Sequence, residues 1–110
     1  MRRYAVTLTE HALLDLDDIG RYIGQHDAPG KAEYVVQRIE QTLSSLTLLP
    51  NRGSHPRELL ELGNRRFREV RFKPYRIIYQ VQDREVVVLM VADGRRDMRT
   101  LLAKRLLGGE

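Results

Sequence analysis

The change of hydrophobic period at Gly63 limits the folds open to this chain more than any other feature. Beyond it, "RRFREVRF", "YRIIYQVQ" and "EVVVLMVA" alternate or run apolar over strand-sized lengths, separated by Pro74 and the turn-forming "QDRE". The spacing predicts a three-stranded antiparallel meander. In the third run apolar groups point both ways from Val86 to Val91, which places it inside the sheet rather than at an edge. Before Gly63 the period is helical: Ala12, Leu16, Ile19 and Ile23 recur at steps of four, three and four, with Asp15, Asp17 and Asp18 largely off that stripe. Thr9 is placed to cap this helix, which is expected from Glu10 to about Gly24. After "QHDAPGK", Asp27 followed by Pro29 marks the start of a second helix. Its buried stripe is Ala32, Val35, Val36, Ile39, Leu43 and Leu46, and it ends before Pro50. The short connection makes the pair an antiparallel hairpin.

Residues 3–9, "RYAVTLT", alternate as a half-buried strand, and "DMRTLLAKRLL" returns to helical spacing before Gly108 and Gly109. "RELLELGN" fits a helical turn and an irregular extended segment equally well. The expected fold class is therefore α+β: an N-terminal strand, an antiparallel helical hairpin, a three-stranded antiparallel meander and a short C-terminal helix. No linker composition divides residues 1–110, so they are expected to form a single domain. The hairpin should cover one sheet face and leave the other available for function.

Composition narrows the function. There is no cysteine, which removes disulfides and thiolate metal sites, and no run of eighteen apolar residues. A cytoplasmic protein without a membrane partner is the expectation. His11, His26 and His55 lack the spacing of a zinc site, and neither metal nor cofactor is expected. The net charge of +4 is unevenly spread: residues 65–105 carry twelve Lys or Arg against five Asp or Glu, and the remainder seven against ten. A basic C-terminal half suits phosphates or an acidic protein partner.

Arg76 lies on a strand between bulky neighbours, and Arg95 and Arg96 follow Gly94, which permits a tight turn at the end of the next strand. Alternation alone does not decide whether Arg68 or Arg71 shares the face of Arg76, because a bulge would reverse the parity. A cleft bounded by Arg76, by Arg68 or Arg71, and by Arg96 is geometrically reasonable. Asp93, Asp97 and Glu69 are the carboxylates placed to pair with these arginines. Tyr75 and Tyr79 have the parity of the apolar face and read as core aromatics.

"YRIIYQVQDREVVVLMVADGRRDMRTLLAKRL", with "FREVRFKP" and "LTEHALLDLDDIGRYI", resembles the RelE/ParE superfamily of toxins from bacterial type II toxin–antitoxin modules. The similarity spans nearly the whole chain, and the YRIIY strand and the GRR turn are its most specific markers. It implies the fold derived above and a cognate antitoxin encoded next to it, whose extended or helical segment wraps the toxin. RelE-like members cut messenger RNA on the ribosome, and on that resemblance Arg76 and Arg96, with Arg68 or Arg71, would form the catalytic set. The late aromatic or histidine of such nucleases is missing, since "RTLLAKRLL" offers Leu101 and Leu102 there. ParE-like members resemble inhibitors of DNA gyrase that act by binding. The long acidic first helix, the long hairpin and the "LPNRGSHPREL" loop are more similar to that branch. The favoured expectation is therefore a gyrase-binding toxin whose Arg68, Arg71, Arg76, Arg95 and Arg96 contact target or antitoxin, with a ribosome-dependent mRNA endonuclease or a non-catalytic basic binding domain as alternatives.

Overall fold

The computed structural model of the protein describes residues 2–108. Strand β1 (Ala5–Leu8) leads into helices α1 (Glu10–His26) and α2 (Lys31–Ser44), and a 3-10 turn (Ser45–Thr47) follows. A one-turn helix α3 (Arg57–Leu60) precedes β2 (Arg68–Phe72), β3 (Tyr75–Gln82), β4 (Glu85–Asp93) and helix α4 (Met98–Leu106). The undecided "RELLELGN" segment is thus a helical turn. Thr9 caps α1 as its sequence position suggests: its hydroxyl accepts from the Ala12 amide at 3.1 Å. The second helix starts later than Asp27–Pro29 implies. Gly30 is its N-cap, in the left-handed region at φ 84°, where a residue without Cβ is unstrained.

The four strands form one sheet in the order β1-β4-β3-β2. β2, β3 and β4 are the antiparallel meander, and β1 joins β4 in parallel, so β4 is interior. A register shift between Ile78 and Tyr79 sets Val88 opposite Tyr79 and Met90 opposite Ile78, leaving Leu89 as an extra residue in β4. This bulge explains why β4 reads as apolar on both faces. Val86 and Val88 point at the helical hairpin before it. After it Val91 does so, while Met90 and Ala92 point the other way.

Two cores result. The larger lies between the sheet and the α1–α2 hairpin, where Ala12, Ile23, Val35, Ile39, Leu43 and Leu46 meet Val70, Ile77, Tyr79, Val86, Val88 and Val91. The smaller lies on the opposite face, where Leu59 of α3 and Met98 and Leu102 of α4 bury Phe67, Ile78, Met90 and Ala92. The expectation of an uncovered second face is corrected by this packing. Ile78 and Met90 on that face are too apolar to be left in water, so α3 and α4 cover them. What remains open is the end of the sheet where β2 and β3 carry Arg71 and Arg76 and Gly94 follows β4.

Asp15 departs from the solvated acidic face assigned to α1. Its carboxylate accepts from the Val91 amide at 2.9 Å and from Arg105 at 2.9 and 3.1 Å, while Arg105 also donates to the Leu89 carbonyl at 2.8 Å. Strand β1 pairs with β4 only as far as Val88. Beyond that point the polar groups of β4 need other partners, and these two side chains supply them. Among the described residues, no helix is long and apolar enough to cross a membrane.

Candidate functional site

Antiparallel register decides which strand arginine accompanies Arg76. Arg71 stands opposite Arg76 and Arg68 opposite Tyr79, so Arg71 shares its face. Arg68 is on the helix side, where it donates to the carbonyl oxygens of Gly53 at 2.8 Å and Asn51 at 3.3 Å. It therefore pins the 51–53 loop and does not line the arginine cleft. The cation of Arg68 is spent on local backbone.

Arg76 is buried, with 8% of its side chain exposed. Its Nε donates to Glu69 Oε1 at 2.7 Å, and Nη1 and Nη2 form a fork on the Glu58 carboxylate at 2.8 and 2.7 Å. The second Glu69 oxygen accepts from Arg71 at 2.9 Å. Glu58 and Glu69 thus hold Arg76 from two sides, and Arg71 neutralises what remains. Paired and hydrogen-bonded throughout, the group meets the requirement for a buried charge. The hydrogen bonds from Arg76 hold the Glu58 carboxyl down to about 2 against the opposing effect of burial, and those from Glu58 raise Arg76 further above its ordinary value. Of the carboxylates the sequence offered to Arg76, Glu69 is a partner; Asp93 and Asp97 are not. Asp93 pairs with Arg95, whose hydrogen bonds lower the Asp93 carboxyl. Asp97 caps α4 by accepting from the Thr100 amide and hydroxyl.

Gly94 has a different role from the one its place in a turn suggests. It is not among the residues with positive φ. A Cβ there would stand 2.8 Å from Arg76 Cδ and 3.2 Å from the Pro74 carbonyl oxygen. The missing side chain lets the stem of Arg76 pass beneath the strand end, which fixes the direction of its guanidinium.

Around this arginine lies a cleft of about 350 Å³ lined by Arg57, Glu58, Arg71, Lys73, Pro74, Tyr75, Arg76, Gly94 and Arg95. Arg96 is elsewhere: it lines an adjoining cleft of about 650 Å³ with Asp18, Tyr22, His26, Asp27 and Ile19, and Tyr75 and Arg95 form the wall between the two. The expected cleft of Arg76, Arg68 or Arg71, and Arg96 is corrected accordingly. Arg71 and Arg95 accompany Arg76, while register and the turn after Asp93 carry Arg68 and Arg96 away. Arg57, Glu58 and Lys73 are members that sequence reasoning missed. Two of them lie in the segment whose secondary structure was undecided, and Lys73 sits in the β2–β3 turn, where alternation assigns no face.

The cleft is built to hold an anion more than to move a proton. Glu58, held at about 2 and engaged by two guanidinium nitrogens, is a poor acceptor near neutrality. Burial, then the Asp93 charge, pushes the Tyr75 hydroxyl up, so it stays protonated there. Arginines do not give up protons in this range either. Tyr79 is a packing residue: its hydroxyl donates to the Pro50 carbonyl at 2.7 Å and accepts from the Gly53 amide at 3.0 Å. The late leucines pack as well, with Leu102 buried.

Known proteins match both the sequence and this architecture. Residues 6–98 match the family model described as the ParE toxin of the type II toxin–antitoxin system parDE. Toxin ParE3 of Caulobacter vibrioides is 30% identical over 91 residues, covering 83% of this chain and 87% of the relative. Among solved structures, the chromosomal ParDE system from P. aeruginosa superimposes with a TM-score of 0.69 at 22% identity, covering 83% of this chain and 96% of that one. The toxin–antitoxin complex RelBE2 from Mycobacterium tuberculosis gives 0.60 at 22% identity over 84% and 93% of the two chains. A mutant of the E. coli toxin RelE in the free state gives 0.63 at 18% identity over 94% and 98%. These three share the fold with this chain. The family match, which takes in both helices of the hairpin and the whole meander, and the 30% identical relative establish that the chain belongs to the ParE toxin family of type II toxin–antitoxin systems.

Proposed function

We infer that this toxin arrests its host by binding DNA gyrase and not by cutting messenger RNA, that residues 1–110 act as one toxin domain in the cytoplasm, and that a cognate antitoxin encoded beside it neutralises it. The observation that carries the reading is the state of Arg76. On a nuclease, this strand arginine would face the scissile phosphate; here its fork is filled by Glu58 and its Nε by Glu69. With Tyr75 protonated and Glu58 committed, the cleft has the means to hold a ligand and lacks a group poised for proton transfer. Arg95 and Arg96 keep exposed guanidinium groups near Ile19, Tyr22 and Tyr75, and Arg71 keeps one in the cleft that Tyr75 also lines. Charge next to apolar surface suits a protein ligand, and it fits an antitoxin with an acidic amphipathic tail following a DNA-binding N-terminal part.

Two assays run side by side test the inference. Purified toxin should inhibit supercoiling by gyrase and leave messenger RNA uncut in a translation reaction mapped by primer extension. Codon-dependent cleavage with unaffected gyrase would reverse the assignment. Co-expression with the adjacent open reading frame should yield a complex in which the toxin is inactive.

A further inference from the structure

We propose that the free end of the β4 edge, at Val91 and Asp93, is a strand-addition site through which the toxin holds an extended, carboxylate-bearing segment of gyrase, an inference that rests on the binding reading above. Strand β1 leaves this edge at Val88, whereas β4 continues to Asp93. Asp15 and Arg105 cover the first polar groups left over, the Val91 amide and the Leu89 carbonyl. The Val91 amide points to Asp15 and that of Gly94 to the Pro74 carbonyl on the β3 side, so alternation turns the Val91 carbonyl and the Asp93 amide away from β3. Neither has a hydrogen-bond partner among the described residues. A single residue of a parallel strand satisfies both, donating to the one and accepting from the other. Ala5 stands in that position opposite Glu85, with its amide donating to the Arg84 carbonyl at 3.0 Å. An antiparallel strand would also need the second polar group of each residue, and Asp15 already engages the Val91 amide and the Arg96 amide the Asp93 carbonyl.

The two groups open on the cleft of about 650 Å³ between α1 and the end of β4. Main-chain pairing of this kind supplies affinity, and the side chains that alternate along the added strand supply specificity. The partner residues on either side of the one opposite Ala92 point to the hairpin face, as Val91 does. The first of them meets Val91, Ile19 and Ile23, so an apolar residue belongs there. The second, two positions on, lies beside Asp93 between Tyr22 and Tyr75. Tyr22 is 64% exposed, yet it is held as a wall by stacking on His26, with ring centroids 4.2 Å apart. The acidic groups that border the cleft are engaged: Asp15 by Arg105, Asp93 by Arg95, Asp18 by Arg21 at 3.9 Å and Asp27 by the Ala28 amide. Arg96 is the exposed charged side chain there without a partner among the described residues, so a carboxylate at the second position complements it.

Wild-type toxin bound to DNA gyrase is the sample, read by hydrogen exchange resolved to single amides. Exchange at Asp93 should slow about ten-fold or more in the complex, whereas Gly94, whose amide already donates to Pro74, should change by less than about two-fold. In supercoiling assays Tyr22→Ala and Arg96→Glu should each need about ten-fold more toxin for half inhibition. Arg84→Glu, the same charge change at the exposed turn before β4 and so at the other end of the sheet, should stay within about two-fold of wild type. An Asp93 amide that exchanges unchanged in a toxin–gyrase complex would overturn strand addition, and so would folded Tyr22 and Arg96 variants that inhibit as wild type does. Protection of Asp93 by the antitoxin and not by gyrase would overturn the choice of occupant. The exchange measurement uses wild type, so it decides even where a variant fails to fold. Wild-type toxin that leaves gyrase uninhibited is a separate failure, of the gyrase reading itself, and takes this assignment with it.

Discussion

Arg76 and Arg96 sit in the same stretch of basic sequence, yet they should respond to alanine in opposite ways. Arg76→Ala leaves Glu58 and Glu69 without their shared cation in a largely dry site, and removing one partner of a buried ion pair costs about 3–5 kcal/mol. Arg96 is exposed, so Arg96→Ala should change stability by about 0–1 kcal/mol. Denaturant midpoints at constant slope measure both, and equal midpoints for the two variants would contradict the ion-pair network. Growth arrest lost in Arg76→Ala would consequently report on folding, whereas loss in Arg96→Ala would report on contact. A second residue with a definite cost is Tyr79. Phenylalanine there strands the Pro50 carbonyl and the Gly53 amide, and each buried group without a partner costs about 1–3 kcal/mol. An unchanged unfolding midpoint for Tyr79→Phe would mean that the 50–53 loop is not held by this hydroxyl.

At the scale of elements, α3 is four residues long and would not persist alone. It is held to the sheet by buried Leu59 and by the Glu58–Arg76 pair. Because the folded Glu58 carboxyl lies near 2 and the ordinary value is 4.5, its contribution is complete above about 4.5 and is lost as pH falls toward 2. Thermal melts of wild type and Glu58→Gln should therefore differ most near neutrality and converge through that window. A gap independent of pH would show that the charge of Glu58 is not what holds α3. The limits of sequence reading are visible in the same elements. The helical stripes and the parity of β3 could be read because each repeats a local period, and the Thr9 cap because it stands directly before one; the parity of β2 could not. Glu58 could not be assigned to Arg76, 18 residues away, because α3 carries too few residues to show a period. The bulge at Leu89 was concealed in a uniformly apolar run, so the change of facing at Val91 had no sequence signal. Asp15 looked solvated because its partners, Val91 and Arg105, are 76 and 90 residues distant.

At the scale of the molecule, one four-stranded sheet is covered on one face by the α1–α2 hairpin and on the other by α3 and α4, and the end left uncovered carries the basic cleft. Part of the positive charge of residues 65–105 lies there, as Arg71, Lys73, Arg76 and Arg95, whereas Arg68, Arg99 and Arg105 are engaged elsewhere. Its largest buried member, Arg76, is internally compensated, while Arg71, Arg95 and Arg96 remain at the surface. Such a surface is suited to holding a partner, and a toxin that works by holding must be consumed in proportion to its target. The most direct test is a stoichiometric titration of purified toxin into a fixed amount of DNA gyrase, read as the rate of supercoiling of relaxed plasmid. Inhibition should rise to a plateau near equivalence, remain constant with time, and be reversed by the cognate antitoxin. Uninhibited gyrase in the presence of a large molar excess of folded toxin would contradict the binding mechanism.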